Sequence, residues 1–381
     1  MSLTRRSVAA IAAIVTAGAG LLAGGGIASA APSNNNPNAF IGPLSQTKVI
    51  SSTIPQNGDV NPYGVAVVPR STGNLHQGDV LVSNFNDSGN TQGTGTTIVQ
   101  VNPHGGMSLF AGISDPGCPG GVGLTTALVA LRSGWVIVGS LPTQNNGTTL
   151  SGPGCLIVLD QWGHVRNTIT GYGIDGPWDM TALDLGNFAE LFVTNVLGGI
   201  LGPNTSSNGG TVQRLLISSS PNMTPQVLAS KQIGSDFPAR TDPAALVIGP
   251  TGVGLGFDGT LYVADSLDNR IAAIPGAVFR NKDDGSGNTV SEGMALNDPL
   301  GLAITPNGHI LTANGNDGNL VETTPGGDQI AVKTVDNNLG GGGNLFGLAV
   351  KPGARAVYFV DDFGGGPNNI PPAQNNLQLF F

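Results

Sequence analysis

The chain has 381 residues, of which 60 are glycine and only 10% are charged. So few Glu, Lys and Arg residues exclude a mainly helical protein, whereas abundant Gly, Asn and Thr suit short strands joined by turns. The formal net charge is −9. No basic run follows the first residues, which argues against a nucleic-acid-binding protein because nothing would neutralise the phosphates.

The first 30 residues have the pattern of an export signal. Arg5 and Arg6 precede an apolar stretch at residues 8–22, and residues 28–30 (Ala-Ser-Ala) offer small side chains at the cleavage positions. Residues 4–8 also resemble a twin-arginine signal. We therefore expect a secreted or periplasmic bacterial protein, with a mature chain that is a monomer without a membrane span.

Six short apolar runs along the chain each end in a small polar residue. A repeat of roughly 45 to 75 residues with this strand chemistry is typical of a β-propeller with one blade per repeat. The six run ends are Val82-Ser83-Asn84, Val138-Gly139-Ser140, Val193-Thr194-Asn195, Val263-Ala264-Asp265, Thr312-Ala313-Asn314 and Phe359-Val360-Asp361.

Each repeat is predicted to contain an inner, a second, a third and an outer strand. Inner strands are expected near residues 64–68, 124, 179, 252–257, 301–304 and 347–350. The sixth repeat lacks an outer strand, and residues 48–53 form a spare strand near the N-terminus. Pairing the two would close the ring and remove an exposed sheet edge. The sequence thus predicts an all-β, six-bladed β-propeller at residues 48–381, after a signal peptide (1–30) and an N-terminal extension (31–47).

The longest irregular stretches are predicted at residues 141–154, 196–210, 235–250 and 363–376. Each joins a second strand to a third strand, or one blade to the next, and both kinds of connection emerge on the same face of a propeller. We call this the loop-rich face, and the opposite one, with the tight turns, the short-turn face. Functional loops concentrate where a scaffold tolerates insertions.

The two cysteines, Cys118 and Cys155, lie in matching Pro-Gly-Cys loops of the second repeat. In an oxidising compartment we expect a disulfide between them rather than two free thiols. They are too few for a zinc site without help from histidine.

The fourth repeat resembles an NHL repeat. Residues 252–271 combine a glycine-started inner strand, a second strand ending Tyr262-Val263-Ala264-Asp265, and an Asn269-Arg270 pair before an apolar third strand. The resemblance extends more loosely over residues 48–381. It implies the propeller fold and relatives that include gluconolactonase-type calcium lactonases, streptogramin lyases, the lyase domain of peptide amidation and non-enzymatic binding propellers, among which fold alone does not choose.

A ring of polar residues that ends the six second strands is the first candidate site. Its members could supply oxygen ligands for a hard cation such as calcium, or hydrogen bonds to another ligand, around the mouth of the central channel. Alternatively they cap strand ends and tie down loops, as Asp and Asn commonly do. The ring consists of Asn84, Ser140, Asn195, Asp265, Asn314 and Asp361.

The residues that start the inner strands are the second candidate site. They are mostly aromatic or apolar: Tyr63, Trp178, Asp179, Thr251, Leu300 and Phe346. Lactonase-like relatives place acidic and Asn metal ligands near these strand starts, and here only Asp179 is acidic. An aromatic rim suits apolar or sugar-like ligands, but these side chains could equally plug the channel. Asp179 and Asp265 are the candidate calcium ligands.

The four histidines, His76, His104, His164 and His309, are all predicted in turns of the short-turn face. A lyase or hydrolase on this fold would need a histidine acid or base on the loop-rich face. We therefore expect a binding or interaction protein that holds a protein or small-molecule ligand on its loop-rich face. The alternatives are a calcium-dependent lactonase, hydrolase or lyase at the channel mouth and a structural envelope component; no catalytic residue is assigned.

Overall fold

The computed structural model describes residues 36–114, 117–199, 204–242, 246–336, 345–362 and 375–381. Within these ranges the chain is all-β, and a 3-10 turn at Ala277–Phe279 is the one helical element. Nothing helical in the same ranges has the length and apolar character needed to cross a membrane. The predicted signal peptide lies outside the described residues.

The strands form six antiparallel blades around a central channel, as the sequence predicts. Strand β1 (Thr47–Ser52) precedes the first complete blade. Blade 1 comprises β2 (Val60–Val67), β3 (Val80–Asn86), β4 (Thr97–Val101) and β5 (Met107–Gly112). Blade 2 comprises β6 (Leu124–Ala130), β7 (Val136–Ser140), β10 (Cys155–Leu159) and β11 (Val165–Ile169), and between β7 and β10 a hairpin forms from β8 (Thr143–Gln144) and β9 (Thr149–Leu150).

Blade 3 is larger than the others and has five strands. They are β12 (Pro177–Asp184), β13 (Phe188–Asn195), β14 (Ser206–Ser218), β15 (Val227–Asp242) and β16 (Leu246–Ile248). The prediction of an irregular loop at residues 235–250 is wrong, because β15 continues to Asp242 and pairs with β16. β14 and β15 extend past the end of β13, since Ser206 pairs with Arg240 whereas β13 pairs with β14 only from Thr211 onward.

Blades 4 and 5 each have four strands. Blade 4 comprises β17 (Pro250–Leu255), β18 (Leu261–Asp265), β19 (Arg270–Ile274) and β20 (Asn288–Glu292), and blade 5 comprises β21 (Pro299–Ile304), β22 (Ile310–Asn314), β23 (Asn319–Thr323) and β24 (Gln329–Thr334). Gly259 and Gly308 occupy the tight turns between their inner and second strands with φ of 81° and 82°, a backbone conformation that favours glycine.

Blade 6 combines the two ends of the chain. Its strands are β25 (Leu345–Val350), β26 (Val357–Asp361) and β27 (Asn376–Phe380), and β1 pairs antiparallel with β27 as the outer strand. The predicted closure is confirmed. Because β27 pairs with β26 on one side and with β1 on the other, the strands from the two ends of the chain leave no unpaired edge where they meet.

Small polar residues one position before the ring join neighbouring blades. The hydroxyl of Ser83 donates to the Thr125 carbonyl of blade 2 at 2.8 Å, and that of Thr194 donates to the Thr251 carbonyl of blade 4 at 2.7 Å. These bonds explain why the apolar runs of blades 1 and 3 end in a pair of small polar residues. The first residue of each pair bonds to the next blade, and the second is the ring residue that is described below.

The N-terminal segment before β1 packs against blades 5 and 6 rather than extending freely. Ala39, Phe40, Ile41 and Leu44 are buried in the cluster that contains the second strands of these blades. The carboxylate of Glu322 accepts hydrogen bonds of 2.8 Å from the backbone N–H groups of Phe40 and Ile41. The predicted disulfide between Cys118 and Cys155 is also present and links the two Pro-Gly-Cys loops.

Candidate functional site

The six ring residues occupy equivalent positions in the fold. Each lies at the loop-rich end of its second strand, directly opposite the first residues of the inner strand of the same blade. The pairs are Asn84 with Pro62, Ser140 with Leu124, Asn195 with Pro177, Asp265 with Pro250, Asn314 with Pro299 and Asp361 with Leu345. All six ring residues are buried.

The three asparagines of the ring hold the segments that connect one blade to the next. The side-chain amide of Asn84 donates to the Thr53 carbonyl at 3.0 Å, that of Asn195 donates to the Gly173 carbonyl at 3.0 Å, and that of Asn314 donates to the Ala295 carbonyl at 2.7 Å. Such bonds are the usual way in which buried Asn satisfies loop backbone. These contacts support the structural interpretation of the ring.

Ser140 also holds a connection between blades, whereas Asp361 and Asp265 bind side chains of their own blades. The hydroxyl of Ser140 accepts the Gly123 N–H at 3.0 Å, and the side chain of Gln378 donates to Asp361 at 2.8 Å. Asp265 pairs with the Arg270 guanidinium, with its Oδ2 2.6 Å from Nη2. Burial raises the pKa of Asp265 to about 6 although Arg270 acts in the opposite direction.

The predicted aromatic residues meet at the centre of the loop-rich face and fill the channel there. The Tyr63 ring is stacked between Phe85 and Phe346, with centroid distances of 4.4 and 4.0 Å, and Trp178 lies 6.0 Å away. Tyr63, Trp178 and Phe346 are 2%, 3% and 1% exposed. We call these four side chains the aromatic plug. Phe85 was missed in the sequence, although it directly follows the ring residue Asn84.

Strand β16 covers the aromatic plug from outside. The indole N–H of Trp178 donates to the Val247 carbonyl at 3.1 Å, and Leu246 and Leu141 complete the cover. The remaining void is about 10 Å³, which is at the lower limit for one water molecule. Burial also raises the pKa of the Tyr63 phenol well above its usual value, so the plug is uncharged. The described residues therefore leave no room for a small molecule at this mouth.

Asp179 lies beneath the plug and contributes to the wall of the channel on the other side. Its Oδ1 accepts the Met180 N–H at 2.8 Å, and its Oδ2 accepts the Val253 N–H of blade 4 at 3.0 Å. Burial raises its pKa to about 7, against the opposing effect of these two hydrogen bonds. Asp179 is thus separated from the loop-rich face, where the sequence analysis placed it.

The channel is open at the short-turn face. There it forms a cavity of about 440 Å³ lined by the inner strands of all six blades. This cavity was not predicted from the sequence, because the polar and aromatic strand starts all lie at the opposite end of the channel. The signal that could have found it is the run of small or aliphatic residues that completes each inner strand, as in Leu302-Ala303-Ile304 and Leu348-Ala349-Val350.

The four histidines lie in turns of the short-turn face, as predicted, between β2 and β3, β4 and β5, β10 and β11, and β21 and β22. The described residues that line the cavity include none of them. His309 instead contacts Glu322, with Nδ1 2.7 Å from Oε1, and the ring of His76 lies 3.0 Å from Gln100 Nε2.

The two candidate calcium ligands do not form the oxygen cage that this ion requires. Calcium takes six to eight oxygen donors, whereas Asp179 is bound by backbone amides and Asp265 by a guanidinium. Throughout the described ranges, no group of three or more His, Cys, Asp or Glu side chains is placed to hold a metal ion. The residues present at these two positions therefore do not fit calcium.

No family model matches the chain, and no curated protein matches it. Solved structures do. A gluconolactonase from Xanthomonas campestris is similar with a TM-score of 0.56 at 11% identity, covering 88% of this chain and 90% of that one. The calcium-binding protein regucalcin from Agrobacterium tumefaciens gives 0.52 at 13%, covering 87% and 92%. A luciferin-regenerating enzyme gives 0.50 at 10%, covering 88% and 94%.

At such low identities the likeness concerns the fold and not the chemistry. It extends over nearly the whole length of each protein, which agrees with the six blades and their closure by β1. The chain is a six-bladed β-propeller of the fold that gluconolactonase and regucalcin share.

Proposed function

We propose that this chain is an exported, non-catalytic binding protein that contacts a protein partner through its loop-rich face. The observation that carries the proposal is the aromatic plug. Tyr63, Phe85, Trp178 and Phe346 fill the channel mouth and lie under β16, so the described residues offer a surface rather than a pocket at this mouth. Surfaces without a deep pocket suit macromolecular partners better than small ligands.

Two elements on this face project beyond the blades and support a protein contact. One is the β8–β9 hairpin, whose residues Gln144, Asn145 and Asn146 are exposed. The other is the extension of β14 and β15, which continues beyond the end of β13 with Asn208 and Arg240 exposed. Both are held by backbone ladders, so a partner would meet ordered elements and would not have to order a loop on binding.

Several carboxyl groups lie near the centre of the loop-rich face, one of which, Asp242, pairs with Arg240. Burial and the neighbouring Asp242 raise the pKa of Asp298 to about 6. Burial and the nearby Asp361 and Asp336 raise the pKa of Asp362 well above its usual value. Because a raised pKa favours the neutral form of these two groups, it is the net charge of −9 that favours a partner with a basic contact surface, which it would attract over long range.

The likeness to gluconolactonase and regucalcin suggests a calcium-dependent lactonase as the alternative. The contacts of its candidate ligands do not favour it, because Oδ2 of Asp265 pairs with Arg270 and Asp179 lies below the plug. The binding role also agrees with the placement of all four histidines in short-turn connections, since histidine is the side chain that most often serves as the acid or base in catalysis.

Site-specific photo-crosslinking in the producing cells tests this proposal. A photoreactive amino acid is placed at Gln144 or Asn208 on the loop-rich face, and at the exposed turn residues Asp258 or Asn307 on the short-turn face as matched controls. We expect one discrete crosslinked protein from the first two positions and none from the controls, with the yield decreasing at high salt. Equal crosslinking from both faces, or none from Gln144 and Asn208, would contradict the proposal.

A further inference from the structure

The cavity at the short-turn face is a second site, separate from the loop-rich face. Its volume of about 440 Å³ lies within the range of small-molecule sites, about 300–1,000 Å³. The aromatic plug closes its inner end. From Asp179 to Asp184, β12 advances five residues along the wall, which at about 3.3 Å per residue makes the cavity roughly 16 Å deep.

The side chains of the cavity wall are mostly aliphatic, but the surface that the cavity exposes is at least as polar as apolar, and Asp179 and Asp184 are part of it. Aliphatic residues from five different inner strands contribute to the wall. Thr126 and Thr181 are polar and lie between the closed end and the open end. The aliphatic lining includes Val65, Leu128, Val253, Leu302, Ile304 and Leu348. Contact with these aliphatic side chains stabilises a bound hydrocarbon segment, because removing apolar surface from water is worth about 25 cal/mol per Å².

One carboxylate stands at the closed end of this cavity. Asp179 is 8% exposed, and both of its oxygens accept a backbone N–H. No Lys, Arg or His side chain forms a salt bridge with it anywhere in the described ranges. Each carboxylate oxygen retains acceptor capacity. A buried carboxylate without a cation is costly, and a cation brought by a ligand would relieve that cost.

The open end of the cavity has both apolar and charged side chains, since Phe257 and Asp184 line it and Asp184 pairs with the exposed Arg132. Phe257 lines the opening and is 78% exposed, and Phe279, from the 3-10 turn that follows β19, is 84% exposed. In blade 3, Leu185 in the turn from β12 to β13 and Phe188 at the start of β13 are also exposed. Of these four residues Phe257 lines the cavity, and it extends the aliphatic side chains of the wall to the opening.

We propose that the channel binds a slender aliphatic amine, with its ammonium group on the Asp179 carboxylate and its hydrocarbon chain along the inner strands towards Phe257. The cation would meet Asp179, and the hydrocarbon would lie against the aliphatic side chains of the wall. Asp184, at the open end, is already paired with Arg132. This site is on the opposite face from the partner surface proposed above, and neither proposal depends on the other.

Calorimetric titration of the mature protein with n-octylamine at about pH 8 tests the site, because a primary amine is protonated there. n-Octanol and octanoate serve as matched probes of the same chain length. We expect octylammonium to bind with one-to-one stoichiometry, about tenfold or more tighter than octanol, and octanoate not to bind. Equal affinity for octylamine and octanol, or no binding of octylamine, would overturn the proposal.

Three variants separate the carboxylate from the cavity. Asp179→Asn should weaken octylamine binding by about tenfold or more and leave octanol binding nearly unchanged. Ala349→Phe, which adds a ring to the half-buried wall of blade 6, should abolish binding of both. Asp258→Asn removes an exposed acid next to Phe257 and should change neither. If Asp179→Asn fails to fold, unchanged octylamine binding by the folded Ala349→Phe protein would still reject the site.

Discussion

Nδ1 of His309, in the short turn before β22 of blade 5, lies 2.7 Å from Oε1 of Glu322. Glu322 is a fully buried carboxylate on β23, the strand that pairs with β22. The same carboxylate accepts the backbone N–H groups of Phe40 and Ile41. Glu322 therefore fixes the segment that leads into β1, and β1 completes blade 6. A single buried acid thus couples blade 5 to the closure of the ring.

Replacing Glu322 should loosen this N-terminal segment. In Glu322→Gln the amide NH2 would face one of the two backbone N–H groups, so we expect a loss of about 1–3 kcal/mol in the free energy of unfolding. Urea denaturation measures the loss, and limited proteolysis should cut earlier within residues 36–46. His309→Ala is the comparison, because it keeps both backbone hydrogen bonds and should cost less. An equal cost for both variants would show that the histidine contact matters as much.

The inner strands approach so closely around the channel that their glycines cannot carry a side chain. A Cβ on Gly301 would lie 2.1 Å from the Phe346 carbonyl oxygen of the next blade. Gly301→Ala should therefore destabilise the fold by about 1–3 kcal/mol, as overpacking does. Gly112→Ala is the matched control, because its Cβ would have its nearest neighbour at 4.0 Å. Thermal unfolding of the two variants checks this, and similar melting temperatures would contradict it.

The repeat chemistry explains why so much of the fold was predictable. Turn glycines such as Gly308, hydroxyls such as Ser83 and ring residues such as Asn84 act through neighbours in the same or the next blade. Turn glycines and polar ring residues recur along the chain, and the hydroxyls of Ser83 and Thr194 in blades 1 and 3 directly precede ring residues, so each leaves a local signature. The strand pairing of β1 with β27 was also predictable, because one strand was missing from the count and one was spare.

The open end of the channel was not predictable, because it depends on packing among distant blades. Tyr63 stacks on Phe346, which lies in the sixth blade, and no local pattern shows whether two aromatic strand starts line a mouth or fill it. The length of β15 was missed for a similar reason. Its outer half is stabilised by β16 and by the extended part of β14, and not by a repeat-like pattern of its own.

The C-terminal strand should be essential for closure of the ring. Deleting residues 374–381 removes β27, to which both β26 and β1 pair, and leaves two unpaired edges in blade 6. We expect a large loss of thermal stability and a tendency to aggregate, measured by melting and light scattering. Phe381→Ala is the control, since that side chain is partly exposed and its backbone bonds to Gln46 persist. Unchanged melting of the truncated protein would contradict the closure.

The ion pair between Asp265 and Arg270 should stabilise the protein in a pH-dependent way. Arg270 is 8% exposed and Asp265 fully buried, so Arg270→Leu leaves an uncompensated carboxylate and should cost about 3–5 kcal/mol at about pH 8. Because the pKa of Asp265 is already raised to about 6, the carboxyl is mostly protonated at about pH 5, and the cost should be smaller there. Urea unfolding of both proteins at the two pH values tests this. A cost that grows towards low pH would contradict it.

Asp179 should give the protein a stability that decreases as the pH rises. Burial raises its folded pKa from 3.8 to about 7, so between these values the folded state retains a proton that the unfolded state has lost. Its contribution is therefore complete below about pH 4 and lost as the pH rises through about 7, by up to the order of 4 kcal/mol. Asp179→Asn cannot ionise and should lack this slope.

The difference in unfolding free energy between wild type and Asp179→Asn isolates this group from the other acids whose pKa is raised, such as Asp298. We expect that difference to shift in favour of the variant by a few kcal/mol between about pH 5 and pH 8, measured by urea denaturation without added amine. Parallel stability curves would mean that Asp179 ionises in the folded protein as it does in the unfolded chain. The carboxyl would then be as well solvated as an exposed one, and a ligand cation in the channel would have no desolvation cost to relieve.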